Sequence, residues 1–90
     1  MLTWDESKRR TNIKDHGWDF VGADAIFDLP TCSYDDDRTA YGEQRTNVIG
    51  WLNGRMVHLT YTDDGAQLRA VSLRNAEKSE IRRYAQFFAR

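Results

Sequence analysis

The chain holds a single cysteine, Cys32, and only two histidines. One thiol forms no internal disulfide. One Cys with two His also falls short of the roughly four ligands that a structural zinc requires. A reducing compartment, the cytoplasm, is therefore expected, with Cys32 as a buried packing residue. No apolar run approaches membrane-spanning length, which excludes a helical span. The opening Met1-Leu2-Thr3-Trp4-Asp5 turns charged too early for a secretory signal. Repeats, linkers and low-complexity segments are absent. So is a basic excess: the formal net charge is −1, unlike a protein that coats nucleic acid non-specifically. There is no glycine-rich phosphate loop. Asp35-Asp36-Asp37 forms the one acidic run, and adjacent strand residues point to alternate sides, so a solvated loop is the expectation and no metal or other cofactor is predicted.

What is present fits one folded domain spanning residues 1–90. Hydrophobic residues make up 40% and charged residues 30%, a mix that suits a globule with a wet surface. The charge is uneven. Arg55, Arg69, Arg74, Lys78, Arg82, Arg83 and Arg90 crowd the second half against Asp63, Asp64, Glu77 and Glu80, so a local positive site is possible on a neutral protein.

Trp4 suggests a short first strand. Asp5 reads as the N-cap of a polar helix, Glu6 to Asp15, which Gly17 stops. Asp19 is placed to cap a second helix, Phe20 to Phe27, ended by Asp28-Leu29-Pro30. Thr31 to Tyr34 reads as a short strand and is followed by a charged loop through Gly42. Glu43 to Leu52 and Arg55 to Thr62 read as a hairpin. Asn53-Gly54 between them is the pair a type I′ turn prefers, because both central residues need positive φ. Asp64-Gly65 marks a second turn, and Ala66 to Leu73 a third strand. Asn75 is placed to cap a last helix, Ala76 to Phe88. Its Ile81, Tyr84, Ala85 and Phe88 form an apolar stripe expected to pack on the sheet. The predicted class is α+β, with two N-terminal helices, an antiparallel β-meander and a C-terminal helix.

The ordered set Trp4-Asp5-Glu6-Ser7-Lys8, Asn12, Lys14-Asp15-His16-Gly17, Phe20, Ala25 and Phe27-Asp28 resembles the N-terminal signature of BrnT toxins. Gly42-Glu43-Gln44-Arg45 with Ile49-Gly50 resembles that family's central strand. Arg69-Ala70-Val71-Ser72-Leu73-Arg74-Asn75-Ala76, with Glu80 and Tyr84 beyond, resembles its C-terminal signature. Trp18 stands where a small aliphatic is more usual, and Asp15 separates Lys14 from His16. The resemblance spans nearly the whole chain. It implies a compact RelE-like fold and a ribonuclease toxin of a type II toxin–antitoxin pair that cleaves mRNA and blocks translation. It also implies a BrnA-type ribbon-helix-helix antitoxin as partner and operator DNA bound only through the complex. No membrane partner is expected.

RNA is cut when its 2′-OH attacks the adjacent phosphorus. The protein must align that attack, move two protons and stabilise added negative charge, none of which strictly requires a metal. Arg69 and Arg74 are the first candidates for phosphate, because guanidinium offers paired planar donors. Residues five apart on a regular strand face opposite sides, so the two share a site only if the strand ends or twists before Arg74; otherwise one is a surface residue or pairs with Glu80. His16 is a candidate acid or base, or simply a residue favoured by a helix C-terminus. Glu80 and Tyr84 share a helix face; Glu80 is either a base or the carboxylate that fixes an arginine, and Tyr84 is either catalytic or core. Lys8, Lys14, Arg45 and Arg83 are substrate-binding candidates, with Glu43 on the same strand face as Arg45. His58, between Val57 and Leu59, reads as structural. The three tryptophans read as packing residues before base-stacking ones. A second functional class stays open: a non-catalytic RelE-fold module that acts as co-repressor with its antitoxin.

Overall fold

The computed structural model describes residues 2–36 and 44–89. The expectations placed on Asp37, Gly42, Glu43 and Arg90 lie outside the described residues. The elements run β1 (Leu2–Thr3), α1 (Glu6–His16), a 3₁₀ turn (Ala23–Asp28), β2 (Cys32–Asp35), β3 (Arg45–Leu52), β4 (Arg55–Asp63), β5 (Leu68–Asn75) and α2 (Lys78–Phe88). The sheet has the order β1-β5-β4-β3-β2.

Two features correct the predicted layout. First, one N-terminal α-helix is present instead of two. The segment after Gly17 closes as a 3₁₀ turn entered by Gly22 at φ 83°. Asp19 does not cap it; its carboxylate holds Arg9 of α1 at 2.7 and 3.0 Å and accepts from the Val21 N–H at 2.9 Å. Second, the sheet is mixed. The β2-β3-β4-β5 portion is the expected antiparallel meander, but β1 joins it parallel to β5 through Leu2 opposite Leu68.

α1 forms where expected. Asp5 caps it by accepting from the Ser7 N–H at 2.8 Å, and Gly17 ends it at φ 74°. The helix is polar all round, so side-chain bonds hold it rather than an apolar face. Asn12 does most of this. It is buried, its amide oxygen accepts from Leu73 N–H at 3.0 Å, and its amide nitrogen donates to Leu73 and Trp18 carbonyls at 2.8 Å each. Beyond the two residues of β1, Asn12 supplies the hydrogen bonds that another strand would give the β5 edge.

The hairpin turn has Asn53 at φ 52° and Gly54 at φ 77°, as a type I′ turn demands. It sets the register Leu52–Arg55, and from there Ile49 opposite His58 and Asn47 opposite Thr60. One sheet face carries Val48, Leu52, Val57, Leu59, Ala70 and Leu73, which bury against Phe20, Ala23 and Ile26. Gly50 sits on this face because a Cβ there would meet Ile26 Cγ1 at 3.0 Å.

Within β5 the register slips: Ser72 pairs with Thr60 but Ala70 pairs with Tyr61, so Val71 is an extra residue. This bulge changes which side chains share a face. Ala70 and Leu73 both enter the core, and Arg69, Ser72 and Arg74 all take the opposite face.

α2 lies against β2 and β3. Asn75 does not cap it, because Asn75 is still in β5 and its side-chain oxygen accepts from the Trp18 indole at 2.9 Å. Glu77 is the N-cap, in a reciprocal capping box with Glu80. Of the expected apolar stripe, Tyr84 alone turns inward. The partly buried residues of α2 are Glu80 and Tyr84, whereas Ile81, Phe87 and Phe88 remain 43–45% exposed. The polar side chains on the facing sheet surface explain this: they engage the carboxylate of α2.

Candidate active site

The face of the sheet opposite the core carries Tyr34, Asn47, His58, Thr60, Ser72 and Arg74 beside the buried Ile49 and Cys32, and α2 roofs one end of it. Between them runs a cleft of about 500 Å³ lined by Tyr34, Asp35, Asp36, Asn47, His58, Arg74, Glu77, Glu80 and Arg83. Four strands and a helix each contribute. β2 brings Tyr34 opposite Asn47, β4 brings His58 opposite Ile49, and β5 brings Arg74 opposite His58. α2 supplies Glu80 from its first turn and Arg83 one turn later.

Glu80 organises this cluster. Its two oxygens accept from both terminal nitrogens of Arg74, at 2.9 and 2.8 Å. One of them also accepts from the Glu77 N–H at 2.8 Å, and the other lies 3.6 Å from His58 Nε2. The pair is largely enclosed, with 27% of the Arg74 side chain and 13% of the Glu80 side chain exposed. Burial works to raise the Glu80 pKa. The hydrogen bonds from Arg74 and the Glu77 backbone, with the neighbouring positive charge, outweigh it and hold the carboxyl below its usual range. The same hydrogen bonds raise the pKa of Arg74 against its own burial. Glu80 is thus an ionised anchor for Arg74 and a poor base.

Tyr34 and His58 share the floor. The phenol oxygen stands 3.3 Å from His58 Nε2, and the rings meet edge to face. His58 is buried at 4% exposure. Burial first, and then the Glu80 charge, push the Tyr34 pKa up, so the phenol keeps its proton. The Arg83 guanidinium lies over the Tyr34 ring at 3.6 Å, a cation–π contact that holds this arginine at the cleft mouth. Deeper in, Thr60 donates to the Asn47 amide oxygen at 2.8 Å.

Of the sequence candidates, Arg74, Glu80 and Arg83 meet in this cleft. Arg45 begins β3 on the same face as Asn47. The bulge also brings Arg69 to this face, opposite Thr62, about 13 Å along β4 from the Arg74 position. It is exposed and lies near the Asp64 turn, whose carboxyl is held below its usual range first by hydrogen bonds from the Gln67 and Ala66 N–H groups and only then by the Arg69 charge. His16 stands apart at the end of α1. It lines a neighbouring groove with Asp15, Arg74, Asn75 and Glu77, and a further one with Lys8, Asn12 and Ser72. Lys14 sits exposed in the last turn of α1. Tyr84, one turn beyond Glu80, donates to the Pro30 carbonyl at 2.8 Å and stacks on Phe88, tying α2 to the segment before β2.

Sequence reasoning overlooked Tyr34 and read His58 as structural. The hairpin carried a usable signal: counting back from Asn53-Gly54 aligns Asn47 with Thr60 and puts His58 on the same face. Nothing in the sequence placed Tyr34 beside it, because that requires the β2–β3 register. Among the described residues, no three His, Cys, Asp or Glu side chains gather closely enough to hold a metal ion, and no helix is long and apolar enough to cross a membrane.

Residues 4–80 match the family model described as ribonuclease toxin, BrnT, of type II toxin-antitoxin system. No curated protein matches the chain.

Proposed function

The chain belongs to the BrnT family of type II toxin–antitoxin ribonuclease toxins, and on that premise we propose that it is a metal-independent endoribonuclease that cuts mRNA within the cleft under α2 and so stops translation. The observation that carries this reading is the convergence of Arg74, Arg83, Glu80, His58 and Tyr34 on one polar cleft. Arg74, fixed by Glu80, and Arg83, at the mouth, stabilise the charge that develops on the phosphorane as the 2′-OH attacks. Arg45 and Arg69, on the same sheet face, bind phosphates further along the strand. Lys8, Lys14 and His16 extend the track over α1, and His16 is positioned across Arg74 to serve a proton-transfer step at the rim.

The partner is a protein antitoxin, as the family implies. We assign it as BrnA-type with a ribbon-helix-helix part, through which the pair reaches operator DNA. The exposed Ile81, Phe87 and Phe88 lie on α2, the helix that also carries Arg83 of the cleft, and support an antitoxin that covers this helix and thereby blocks substrate. The fold is read as RelE-like and the site of action as the cytoplasm.

Induced expression with and without the antitoxin gene, followed by cleavage of RNA by the purified chain, tests the reading. Growth arrest with RNA loss, persistence of cleavage in EDTA and 2′,3′-cyclic or 3′-phosphate ends are expected. Cleavage that vanishes with chelator and returns with Mg²⁺ sinks the metal-free mechanism. A chain that neither arrests growth nor cuts RNA, yet binds antitoxin and operator, is the co-repressor module instead.

A further inference from the structure

We propose that Tyr34 and His58 are the proton-acceptor pair of this site, with Tyr34 touching the substrate 2′-OH and His58 receiving the proton behind it. The inference rests on the ribonuclease reading and deepens it by placing the acceptor of the 2′-OH proton inside the cleft, apart from His16 at the rim. Glu80 is unsuited to the task, since both of its oxygens are taken up by Arg74 and the Glu77 N–H.

The geometry supports a relay. Tyr34 is partly exposed and lines the cleft, while His58 is buried beneath it. With Nε2 unprotonated, the imidazole accepts from the Tyr34 hydroxyl at 3.3 Å. As O2′ forms its bond to phosphorus, its proton passes to the Tyr34 oxygen and the Tyr34 proton passes to His58 Nε2. The P–O5′ bond breaks, the leaving O5′ takes a proton from water, and the imidazolium later returns its proton to solvent. Atoms and charge balance, and the product is a 2′,3′-cyclic phosphate. No free phenolate accumulates, so the raised pKa of Tyr34 does not hinder the step. The imidazolium forms with Glu80 Oε2 3.6 Å from Nε2, which gives the transient charge a fixed counter-charge. Tyr34 thus acts as the catalytic residue and His58 as the positioned acceptor that acts through it.

The charged and titratable groups around this pair come from every neighbouring element. Among the described residues they are Cys32, Asp35 and Asp36 on and beside β2, Arg74 on β5, and Glu77, Glu80 and Arg83 on and beside α2, with Arg45 further along β3. Arg74 and Glu80 neutralise each other, and Arg83 is held on the Tyr34 ring. The relay requires that His58 enter the step with Nε2 unprotonated. Cleavage should rise with pH as His58 loses its proton.

The test uses the full chain, freed of antitoxin, on an RNA oligonucleotide. Each variant is first checked for parental thermal unfolding. Tyr34→Phe is expected to lower kcat about 10²–10⁴-fold with KM little changed. His58→Gln, which keeps a polar partner for the phenol, is expected to lower kcat about 10²-fold and to abolish the rising limb of the pH–rate profile. Independently of any variant, that limb in the parent must coincide with the titration of the His58 ring followed by NMR. If the parent cuts RNA while both variants keep its kcat and pH profile, or if the limb and the His58 titration differ by more than about one pH unit, the pair is wrong and the ribonuclease reading stands. If the parent cuts no RNA, the ribonuclease reading fails first and takes the pair with it.

Discussion

The Arg74–Glu80 pair offers the sharpest test of how this site is held. From sequence alone, Arg74 reads first as a phosphate-binding cation, with pairing to Glu80 as the alternative. The structure gives it a second task. Two charge-assisted hydrogen bonds join it to a carboxylate that is 13% exposed, while Arg74 itself is 27% exposed. Exposed ion pairs contribute about 0.2–1 kcal/mol, and breaking a fully buried pair costs about 3–5 kcal/mol. A pair enclosed to this degree falls between, so Arg74→Gln should destabilise the fold by about 2 kcal/mol. For a domain of this size that is a fall in Tm of about 8–16 °C.

A double-mutant cycle with Glu80→Gln isolates the pair. Glutamine at position 80 keeps an acceptor for the Glu77 N–H, so the capping box survives and the charge is what changes. The coupling energy should be about 1–2 kcal/mol, within the range for contacting residues. The pH dependence has a definite sign. The folded-state pKa of Glu80 lies below its ordinary value of 4.5. Its contribution is therefore complete above that value and is lost as pH falls through the folded-state pKa. Denaturant unfolding of the parent, both single variants and the double variant, at neutral pH and below pH 4, reads all of this. A coupling below about 0.3 kcal/mol, the scatter of independent sites, with Arg74→Gln melting like the parent, refutes the reasoning. Arg74 would then be a solvated cation, free to turn toward a phosphate.

Arg69→Ala should behave in the opposite way, with stability within about 0.5 kcal/mol of the parent because the side chain is exposed, but with slower RNA cleavage. Parental cleavage would remove Arg69 from the substrate track. Asn12→Ala should cost about 2 kcal/mol or more in denaturant unfolding, because it leaves the buried Leu73 N–H and C=O without their side-chain partners; a neutral result would mean that water replaces the amide. Gly50→Ala should cost about 1–3 kcal/mol, since the new Cβ meets Ile26 at 3.0 Å and Thr31 at 3.1 Å; unchanged stability would show that the 3₁₀ turn moves aside freely.

The local elements were legible because local chemistry fixes them. Asp5, Gly17 and Asn53-Gly54 mark their boundaries through capping and positive φ, and all three act as read. What was misplaced is decided at a distance. The short first strand was expected at Trp4, but Leu2 and Thr3 form it, because they are the residues that pair in parallel with the β5 edge. The segment after Asp19 has helical spacing, but Phe20, Ala23 and Ile26 must all reach the same sheet face, and a 3₁₀ turn entered by Gly22 delivers them there. Asn75 has the composition of a helix cap, yet the β5 ladder and the Trp18 indole hold it in the strand.

The candidate site was legible to a similar depth. The arginines and Glu80 stood out as residue types suited to phosphate chemistry. The rule that residues five apart face opposite sides then argued against Arg69 and Arg74 acting together. One extra residue, Val71, changes the premise, because the bulge brings both side chains to one face, although Arg69 still stands about 13 Å along the strand and outside the cleft. A bulge leaves no mark in composition or periodicity here; it is required by the core, which takes Ala70 and Leu73 at an odd spacing. The polar face is therefore a consequence of the apolar one. Packing Ala70 under Tyr61 and Leu73 under Leu59 turns Arg69 and Arg74 outward together, toward the surface where His58 and Thr60 already point. Deleting Val71 would leave Arg69 four positions before Arg74 on a regular strand and so keep both on one face, whereas a regular strand that retained Val71 would turn Arg69 away from Arg74.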